Sequence, residues 1–485
     1  MARSFRHLVT VTGFLLVTSV YYIYIIVFIQ ACKPAVRFQQ AGFVDYPNWK
    51  YVSVRIKRHP ESSDPGTPQV VILKRRKLAN RTTSSLLYKW NKLKVSPRNA
   101  IGNSTTILLL AYQRTGSTLI GSFFNSYPDI FYVYEPLDSV YVASYGIQPG
   151  WNVPSDIYTL PSGKERIPPQ NELDAMRWIM ERIWSCDFAS LPLSTLMHPF
   201  WFRFLEHVAH FEPYIRCISE RGMNLSSLPI CTKDHIEKTC GWRFNPSYRT
   251  QIEFCGSKMA RSFYHDYAAD SDDSALNFAS YFACLESYRD TIAKCLPLLI
   301  ENCRKRPIRL IKAVRAPMSL VAGFLDQQPN FKLIHLLRDP LGVVLSRYVN
   351  MWSRGFYDFG EVDFYSRSAM SYCRRAYRDI MERVQLEKRY PGRILTLIFD
   401  QFANDPENVM KKAFQFVGVR MPAFNKTVEH VSEEMMKEHL RIDQFLANLK
   451  NTSVKWHQTL PSFVISQIKD RCKEFYKEVE FGWNY

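Results

Sequence analysis

The sequence lacks the paired Cys-x-x-Cys spacing of a zinc site, although it contains 11 cysteines. It also lacks a complete calcium loop, because Asp270, Asp272 and Asp273 stand without the remaining ligand positions. No internal repeat is present, which argues against a repeat array. We therefore expect no metal.

The cysteines are too dispersed for a metal cluster and are suited to disulfides. Eight of them lie between Cys186 and Cys303. Five Asn-x-Ser/Thr sequons, at Asn80, Asn103, Asn224, Asn425 and Asn451, agree with this pattern. Both signals favour an oxidising, lumenal environment.

Acidic residues are scarce in one segment, and this scarcity explains most of the net charge of +18. Residues 33–100 contain 15 Lys and Arg but three acidic residues. The remaining chain from residue 101 carries only +4. A generally basic surface is therefore not expected there, and nucleic acid is not an expected partner.

One long uncharged run, Leu8–Ile29, has the 22 residues needed to cross a bilayer. No small-x-small cleavage signal follows it, which favours a signal anchor over a cleaved signal peptide. Positive residues flank both sides, so local charge does not decide the orientation. Combined with the lumenal signals, the pattern predicts a type II protein with tail 1–7, membrane helix 8–29, basic stem 30–102 and lumenal domain 103–485.

From Thr106, short apolar runs alternate with amphipathic stretches, which predicts an α/β fold: a P-loop-type, mostly parallel sheet flanked by helices. The expected strands are Thr106–Tyr112, Arg309–Val314, Lys332–Leu337 and Ile394–Phe399. The expected helices are Thr118–Ser126, one starting at Pro340 after the N-cap Asp339, and Pro406–Val417. Residues 146–305 form a cysteine-rich, variable or inserted region whose fold the pattern does not indicate.

The segment Gln113-Arg114-Thr115-Gly116-Ser117-Thr118 lies between the first strand and the first helix. Backbone N–H groups and a helix N-terminus at such a turn bind phosphate or sulfate. A Walker loop would place Lys at the position of Ser117, so the lysine of a nucleotide kinase or ATPase is missing. The nearby cation is Arg114, which suits an oxyanion rather than a metal-bound triphosphate.

Two stretches resemble the membrane-bound carbohydrate 6-O-sulfotransferases that act on galactose, N-acetylglucosamine or N-acetylgalactosamine. The segment 106–137 is similar to the family's 5′-phosphosulfate loop with its following helix and Glu-Pro-Leu. The segment 333–347 is similar to its 3′-phosphate element, in which the matching residues are Arg338 and Ser346. The resemblance implies 3′-phosphoadenylyl sulfate as donor, a glycan or glycosaminoglycan acceptor, and a Golgi membrane location.

The sequence departs from the family in two places. Where the family has Arg-Tyr-Glu-Asp-Leu after a late strand, this chain has Ile398-Phe399-Asp400-Gln401-Phe402. The separation between Arg114 and Arg338 is also long for the family, which indicates an inserted segment. The acceptor sugar and hydroxyl therefore stay open.

For catalysis, the resemblance assigns Glu135 as the base, since the similar enzymes place a glutamate there; the alternative is a structural carboxylate capping residues 136–139. Arg114 is assigned to the sulfonate and 5′-phosphate, with Gln113 and residues 115–118 completing the donor site. Lys312 and Arg315 either recognise the acceptor or are solvated charges. His335, inside an apolar strand, is expected to be a core histidine.

Three alternative functions stay open at this point. They are a protein-tyrosine sulfotransferase, a catalytically inactive glycan-binding membrane protein of the same fold and, more remotely, a P-loop kinase. The chain is also compatible with a homo-oligomer. The membrane partner is expected to be bound through residues 8–29.

Overall fold

The computed structural model describes residues 104–140, 158, 167–168, 170–198, 201–202, 208–222, 285, 287–349, 361–436, 442–479 and 481. The predicted tail, membrane helix and stem lie outside these residues, as does much of the region 146–305. Within the described part of the chain, no helix is both long and apolar enough to cross a membrane.

In the part of the chain that the structure describes, five parallel strands form one sheet. They are β1 (Thr105–Leu110), β2 (Ile130–Tyr134), β3 (Ile308–Ala313), β4 (Phe331–Leu337) and β5 (Ile394–Ile398), in the order β2-β3-β1-β4-β5. The predicted parallel α/β sheet is therefore confirmed. The strand boundaries differ from the predicted ones by at most two residues. One difference concerns Phe399, which begins a helix instead of ending β5.

Fifteen α-helices are described, and they occupy both sides of the sheet. They are α1 (Ser117–Asn125), α2 (Gln170–Trp184), α3 (Leu193–Leu196), α4 (Glu212–Glu220), α5 (Arg289–Arg304), α6 (Ser319–Gln327), α7 (Pro340–Val349), α8 (Glu361–Arg389), α9 (Phe399–Asn404), α10 (Pro406–Val417), α11 (Phe424–Met436), α12 (Ile442–Val454), α13 (Trp456–Thr459), α14 (Ser462–Arg471) and α15 (Lys473–Glu478). Short 3₁₀ turns occupy Phe188–Ser190 and Ala209–Phe211.

Local sequence explains where two of the predicted helices begin. The Asp339 carboxylate accepts a 2.8 Å hydrogen bond from the Leu341 N–H at the start of α7, as expected for an N-cap acid. Asp405 accepts in the same way from the Asn408 N–H at the start of α10. Helix α10 spans the predicted residues and ends at Val417; the next residue, Gly418, has a φ of 102°, which suits a glycine C-cap.

The core has two layers because successive strand residues point to opposite faces of the sheet. In β1, Leu108 and Leu110 pack into one layer with α2, α5, α6 and α8. Ile107 and Leu109 pack into the other layer with α1, α10, α11 and α12. Both faces of the central strand are therefore covered, as is usual for a parallel sheet.

Within the described residues, three disulfides join elements that are distant in sequence: Cys186–Cys303, Cys217–Cys295 and Cys373–Cys472. The first two join cysteines of the predicted cluster, so disulfide use is confirmed for them. The third joins α8 to the residue between α14 and α15, and so attaches the C-terminal helices to α8.

Candidate active site

The loop that carries Arg114 and Gly116 lies at the carboxyl end of β1. Its neighbours β3 and β4 lie on opposite sides of β1, so the loop sits where the strand order changes direction. Open parallel sheets bind ligands in the crevice at this point. The sheet order alone therefore places the predicted anion-binding segment at the expected ligand site.

Backbone conformation gives this loop its shape. Arg114 and Gly116 both have positive φ, at 72° and 84°. The Thr115 hydroxyl donates to the Tyr112 carbonyl at 2.7 Å, which closes the turn. The N-cap of α1, which starts at Ser117, is Gly116; it has no side chain to cap the first N–H groups, and such groups can bind an anion.

The two predicted donor-binding elements meet directly. Arg114 Nε donates to Ser346 Oγ at 3.0 Å. Arg338 donates to the Arg114 carbonyl at 3.0 Å and to the Thr452 carbonyl at 3.0 Å. Thus Gln113–Thr118 and the residues at the start of α7 form one site, although Arg114 and Arg338 are 224 positions apart.

Positive charge is concentrated at this site. Burial, together with repulsion from Arg338 and Arg347, lowers the pKa of Arg114 to about 10. Arg347 is buried and donates to the carbonyl and hydroxyl of Ser368. A bound anion would relieve this repulsion. The sequence motifs assign no role to Arg347. Its position directly after Ser346 is the one local sign that it lies near the predicted 3′-phosphate element.

The residues that depart from the family pattern line the same site. The Phe399 ring lies against Gly116, and the Arg338 guanidinium lies 4.5 Å from its centroid. Asp400 accepts a 2.8 Å hydrogen bond from the Asp339 N–H, and burial with repulsion from Asp339 raises its pKa to about 7. Phe399 and Asp400, although they depart from the family pattern, therefore still support Arg338 and the loop.

A second group of charges surrounds Glu135, which follows β2 with a φ of 41°. Its carboxylate contacts the Lys312 ammonium and, at 2.6 Å, the Arg315 guanidinium. Burial raises the pKa of Glu135, but attraction to Lys312 and Arg315 outweighs this effect and lowers it to about 2. Lys312 and Arg315 are buried, so the alternative that they are solvated charges is wrong.

Arg315 and Tyr134 extend this group in two directions. Arg315 also contacts the Asp138 carboxylate, whose pKa burial raises to about 7 despite that cation. His198 Nε2 lies 3.7 Å from Asp138, and burial lowers the His198 pKa to about 3. On the other side, Tyr134 is hydrogen-bonded to the side chain of Thr118. The group of charges around Glu135 therefore adjoins the loop of residues 113–118.

His335 lies in the interior, as expected for a core histidine. Its Nε2 is 2.8 Å from the Tyr112 hydroxyl, which donates to Asp379 at 2.8 Å. Burial lowers the pKa of His335 well below its ordinary value. Arg375, on α8, donates to the carbonyls of Val314 and Ala316. This network supports the strand ends beneath the site.

Metal ligands are not grouped in the described residues: no cluster of three or more His, Cys, Asp or Glu could hold an ion there. The groups predicted to bind an anion are cationic side chains, hydroxyls and backbone N–H groups. Such groups can bind phosphate or sulfonate oxygens directly.

Comparison with known proteins finds sulfotransferases to which this chain is similar. Residues 257–423 match the model of the sulfotransferase family. Carbohydrate sulfotransferase 1 of Rattus norvegicus is 22% identical over 400 residues, covering 77% of this chain and 78% of the relative. Carbohydrate sulfotransferase 3 of Homo sapiens is 22% identical over 385 residues, covering 76% and 65%.

Solved structures of sulfotransferases also align with the chain. A sulfotransferase domain from the curacin biosynthetic pathway has 12% identity and a TM-score of 0.34, covering 77% of this chain and 97% of the domain. Sulfotransferase STF9 from Mycobacterium avium has 13% identity and a TM-score of 0.31, covering 79% and 78%. From the sequence comparisons, the resemblance to the carbohydrate sulfotransferases that the two motifs predict is confirmed, and residues 257–423 match the sulfotransferase family.

Proposed function

We propose that this protein transfers a sulfonate group from 3′-phosphoadenylyl sulfate to a sugar hydroxyl on glycans or proteoglycans. The acceptor position is O-6 of galactose or of an N-acetylhexosamine. One observation carries the proposal: the Arg114–Ser346 and Arg338–Arg114 contacts join the two elements that the sequence predicts to bind anions.

The donor requires such a double site, because it carries a phosphosulfate at the 5′ position and a phosphate at the 3′ position. In our proposal the loop residues Gln113–Thr118 bind the phosphosulfate through N–H groups, hydroxyls and the Arg114 guanidinium. Arg338 and Ser346 bind the 3′-phosphate. The two halves are held together before the nucleotide arrives, which reduces the ordering cost of binding.

The reaction needs a proton acceptor, alignment of the reacting atoms and positive charge at the leaving group. Glu135 takes the proton of the acceptor hydroxyl. The hydroxyl oxygen forms a bond to sulfur, and the bond from sulfur to the 5′-phosphate oxygen breaks, with its electron pair passing to that phosphate. Arg114 and the N-terminus of α1 stabilise the charge that accumulates there.

The acceptor class rests on the relatives, several of which are named carbohydrate sulfotransferases. The proposed location is the Golgi membrane, with residues 8–29 as a type II anchor and the catalytic domain in the lumen. The described disulfides support an oxidising compartment. The sequon asparagines Asn425 and Asn451 are exposed.

The test is transfer of radiolabelled sulfonate by the full-length protein in detergent, using galactose- and hexosamine-containing glycans beside tyrosine peptides. Arg114→Ala should abolish labelling, whereas Arg216→Ala, a change at an exposed ion pair on α4, should not. Label in a glycan supports the proposal and identifies the acceptor. Label only in peptides overturns the acceptor class.

Binding of adenosine 3′,5′-bisphosphate by calorimetry separates the remaining outcomes. A folded protein that binds the nucleotide but labels neither acceptor is an inactive binding protein. A folded protein that does not bind it overturns the donor assignment.

A further inference from the structure

Arg338, which we propose to bind the 3′-phosphate, is a buried cation. Its guanidinium donates to the carbonyls of Arg114 and Thr452, and both of these acceptors are neutral. Its Nε has no hydrogen-bond partner among the residues that the structure describes. A buried cation in such surroundings is stabilised by an anion close to it, so a carboxylate near Arg338 competes with a bound phosphate.

Two buried carboxyl groups lie near Arg338. Asp339 is the next residue in the chain, and Asp400 lies in the first turn of α9. Burial lowers the pKa of Arg338, and attraction to Asp400 and Asp339 opposes this effect. Asp400 directly follows Phe399, whose ring centroid lies 4.5 Å from the Arg338 guanidinium. Asp400 is therefore close enough to change how strongly Arg338 attracts a phosphate.

The two carboxyl groups are hydrogen-bonded differently. Asp339 Oδ1 accepts from the Leu341 N–H and from the Tyr476 hydroxyl, both at 2.8 Å. Asp400 Oδ2 accepts from the Asp339 N–H, but Asp400 Oδ1 has no partner in the described part of the chain. Because donated hydrogen bonds stabilise a carboxylate, Asp339 is the better stabilised anion. Burial and repulsion from Asp339 raise the pKa of Asp400 to about 7, so Asp400 changes charge near neutral pH.

The elements packed against α9 place few other charges beside Asp400. Tyr372, on α8, donates to the Arg338 carbonyl, and burial raises the pKa of its hydroxyl, so Tyr372 stays neutral. Tyr476, on α15, donates to Asp339. Strand β5 carries no ionisable side chain. Helices α10 and α12 also contact α9, and their charged residues are all exposed: Glu407, Lys411, Lys412, Asp443 and Lys450. Among the described residues, the buried charges beside Asp400 are therefore those of Arg338 and Asp339.

We propose that Asp400 is a positioning residue for the donor, which acts through Arg338. As a neutral acid, Asp400 leaves the charge of the guanidinium to the 3′-phosphate. As a carboxylate, it competes with the phosphate for that charge and repels the phosphate. This inference rests on the proposed function. Asp400 makes or breaks no bond of the donor, so its effect is on affinity for the nucleotide and not on the transfer step.

The direction of the pH dependence follows from linkage. A phosphate bound by Arg338 adds negative charge near Asp400, so the proton affinity of Asp400 rises on binding. The complex then holds this proton more tightly than the empty protein does, and affinity for the nucleotide falls as pH rises through the pKa of Asp400. If binding raises that pKa by about one unit, affinity is about tenfold lower well above pH 7 than it would be with a neutral side chain. Well below pH 7 there is no difference.

The first experiment measures binding of adenosine 3′,5′-bisphosphate to the full-length protein and to Asp400→Asn by calorimetry at pH 6, 7 and 8.5. Both proteins should bind equally at pH 6, and the wild type should bind about tenfold more weakly than Asp400→Asn at pH 8.5. Titration of the nucleotide phosphates contributes equally to both proteins, so the ratio of their affinities isolates Asp400. A ratio that does not change with pH overturns the inference.

The matched control is Asp379→Asn. Asp379 is also a buried carboxyl group whose pKa is raised by burial, but it lies on α8 and accepts from Tyr112 and from the Met318 N–H. This variant should keep the pH dependence of the wild type. The same loss of pH dependence in Asp379→Asn would show that the effect is not specific to Asp400, which also overturns the inference.

A second nucleotide tests whether Asp400 acts on the 3′-phosphate. Adenosine 5′-phosphate lacks this group, so its affinity for the wild type, relative to Asp400→Asn, should be the same at pH 6 and pH 8.5. Competition against the bisphosphate gives this affinity even where binding is weak. An equal pH effect for both nucleotides would mean that Asp400 affects the whole site and not the Arg338 contact.

Proton uptake by the wild type covers the case in which Asp400→Asn does not fold. Calorimetry at pH 7.5 in two buffers of different ionisation enthalpy should show uptake of about half a proton when the bisphosphate binds, as expected for a rise of about one pKa unit. Release of protons, or no exchange, overturns this inference but leaves the proposed function intact. Absence of nucleotide binding at every pH would instead show that the donor assignment of the proposed function is wrong.

Discussion

The Phe399 ring occupies the space in which a side chain at Gly116 would lie. Gly116 also has a φ of 84°, which residues with a Cβ seldom adopt. Two independent constraints thus require glycine at the start of α1. Phe399 comes from the segment that departs from the family pattern, so the loop and this segment have to be compatible in shape.

Gly116→Ala should therefore weaken binding of adenosine 3′,5′-bisphosphate by at least about tenfold, because the added methyl group would overlap the Phe399 ring and displace the loop. The positive φ adds a strain of about 1–3 kcal/mol. The matched control is Gly392→Ala, which imposes a similar φ of 75° where no atom lies within 4 Å of the added methyl group. Calorimetry should show a weaker complex for Gly116→Ala alone. Equal affinities in both variants would contradict the role of the Phe399 contact.

Arg338→Lys should weaken nucleotide binding about 10- to 100-fold, because charge-assisted hydrogen bonds contribute about 1.5–3 kcal/mol. A lysine cannot donate to the Arg114 and Thr452 carbonyls together with a phosphate in the guanidinium geometry. Arg393→Lys is the control, since Arg393 donates to the Phe331 and Leu325 carbonyls outside the site. Fluorescence or calorimetric titration of both variants tests the prediction.

Much of this site could be predicted because its signals are local. The apolar run of β1, the turn at Gly116 and the acid before Pro340 are each read within a few residues. The two motifs predict Arg114, Arg338 and Ser346 as donor-binding residues, and the structure brings all three together. Local sequence also gave the type of the sheet, since alternating strands and helices favour parallel pairing.

The contacts of Glu135 could not be predicted in the same way. Lys312 lies 177 positions from Glu135, and the two meet because β2 pairs with β3 in the register Tyr134↔Lys312. Strand order and register depend on the packing of the whole sheet, which spacing along the chain does not encode. The disulfide partners were unpredictable for the same reason, since many pairings fit the cysteine spacing.

Removal of the Cys373–Cys472 disulfide should affect both stability and nucleotide binding. The disulfide joins α8, where Tyr372 donates to the Arg338 carbonyl at 2.8 Å, to Cys472, the residue directly before α15. In α15, Tyr476 donates to Asp339 at 2.8 Å. We expect Cys373→Ser/Cys472→Ser to lose about 2–5 kcal/mol of unfolding free energy. Its affinity for the nucleotide should also fall.

The control for this prediction is Cys217→Ser/Cys295→Ser, which removes the disulfide between α4 and α5. It should lower the Tm without changing nucleotide affinity measured below the unfolding range. Equal affinity losses in both variants would mean that the Cys373–Cys472 effect is not specific to Arg338.

Asp400→Asn should stabilise the protein at pH 8 but not at pH 4. The folded pKa of Asp400 is about 7, above its ordinary value of 3.8. As pH rises between these values, the unfolded chain loses the proton first, so stability falls. One pKa unit corresponds to about 1.4 kcal/mol, so above pH 7 the ionisation of Asp400 lowers the free energy of unfolding by at most about 4 kcal/mol.

Asparagine escapes this cost, and its carbonyl oxygen can still accept the Asp339 N–H. Denaturant unfolding at pH 4, 6 and 8 tests the prediction, because the advantage of the variant should increase with pH. A constant difference across this range would show that Asp400 does not titrate on unfolding.

Glu135→Gln should reduce turnover about 10²- to 10⁴-fold, the usual contribution of a general base. The amide keeps the shape of the side chain but cannot accept the hydroxyl proton. It also leaves Lys312 and Arg315 without their shared carboxylate, so the Tm should fall. Nucleotide binding, measured below the new Tm, should persist because the contacts of Arg114 and Arg338 are retained.

The variant Asp379→Asn is the control that distinguishes an effect on stability from an effect on catalysis. The Asp379 carboxylate is buried and accepts hydrogen bonds from the Tyr112 hydroxyl and the Met318 N–H. Neither partner is a residue that we propose to bind the sulfonate donor. Asp379→Asn should lower the Tm while turnover per folded molecule stays near normal. If Glu135→Gln likewise kept near-normal turnover, Glu135 would not be the base, and its carboxylate would serve to neutralise the two buried cations.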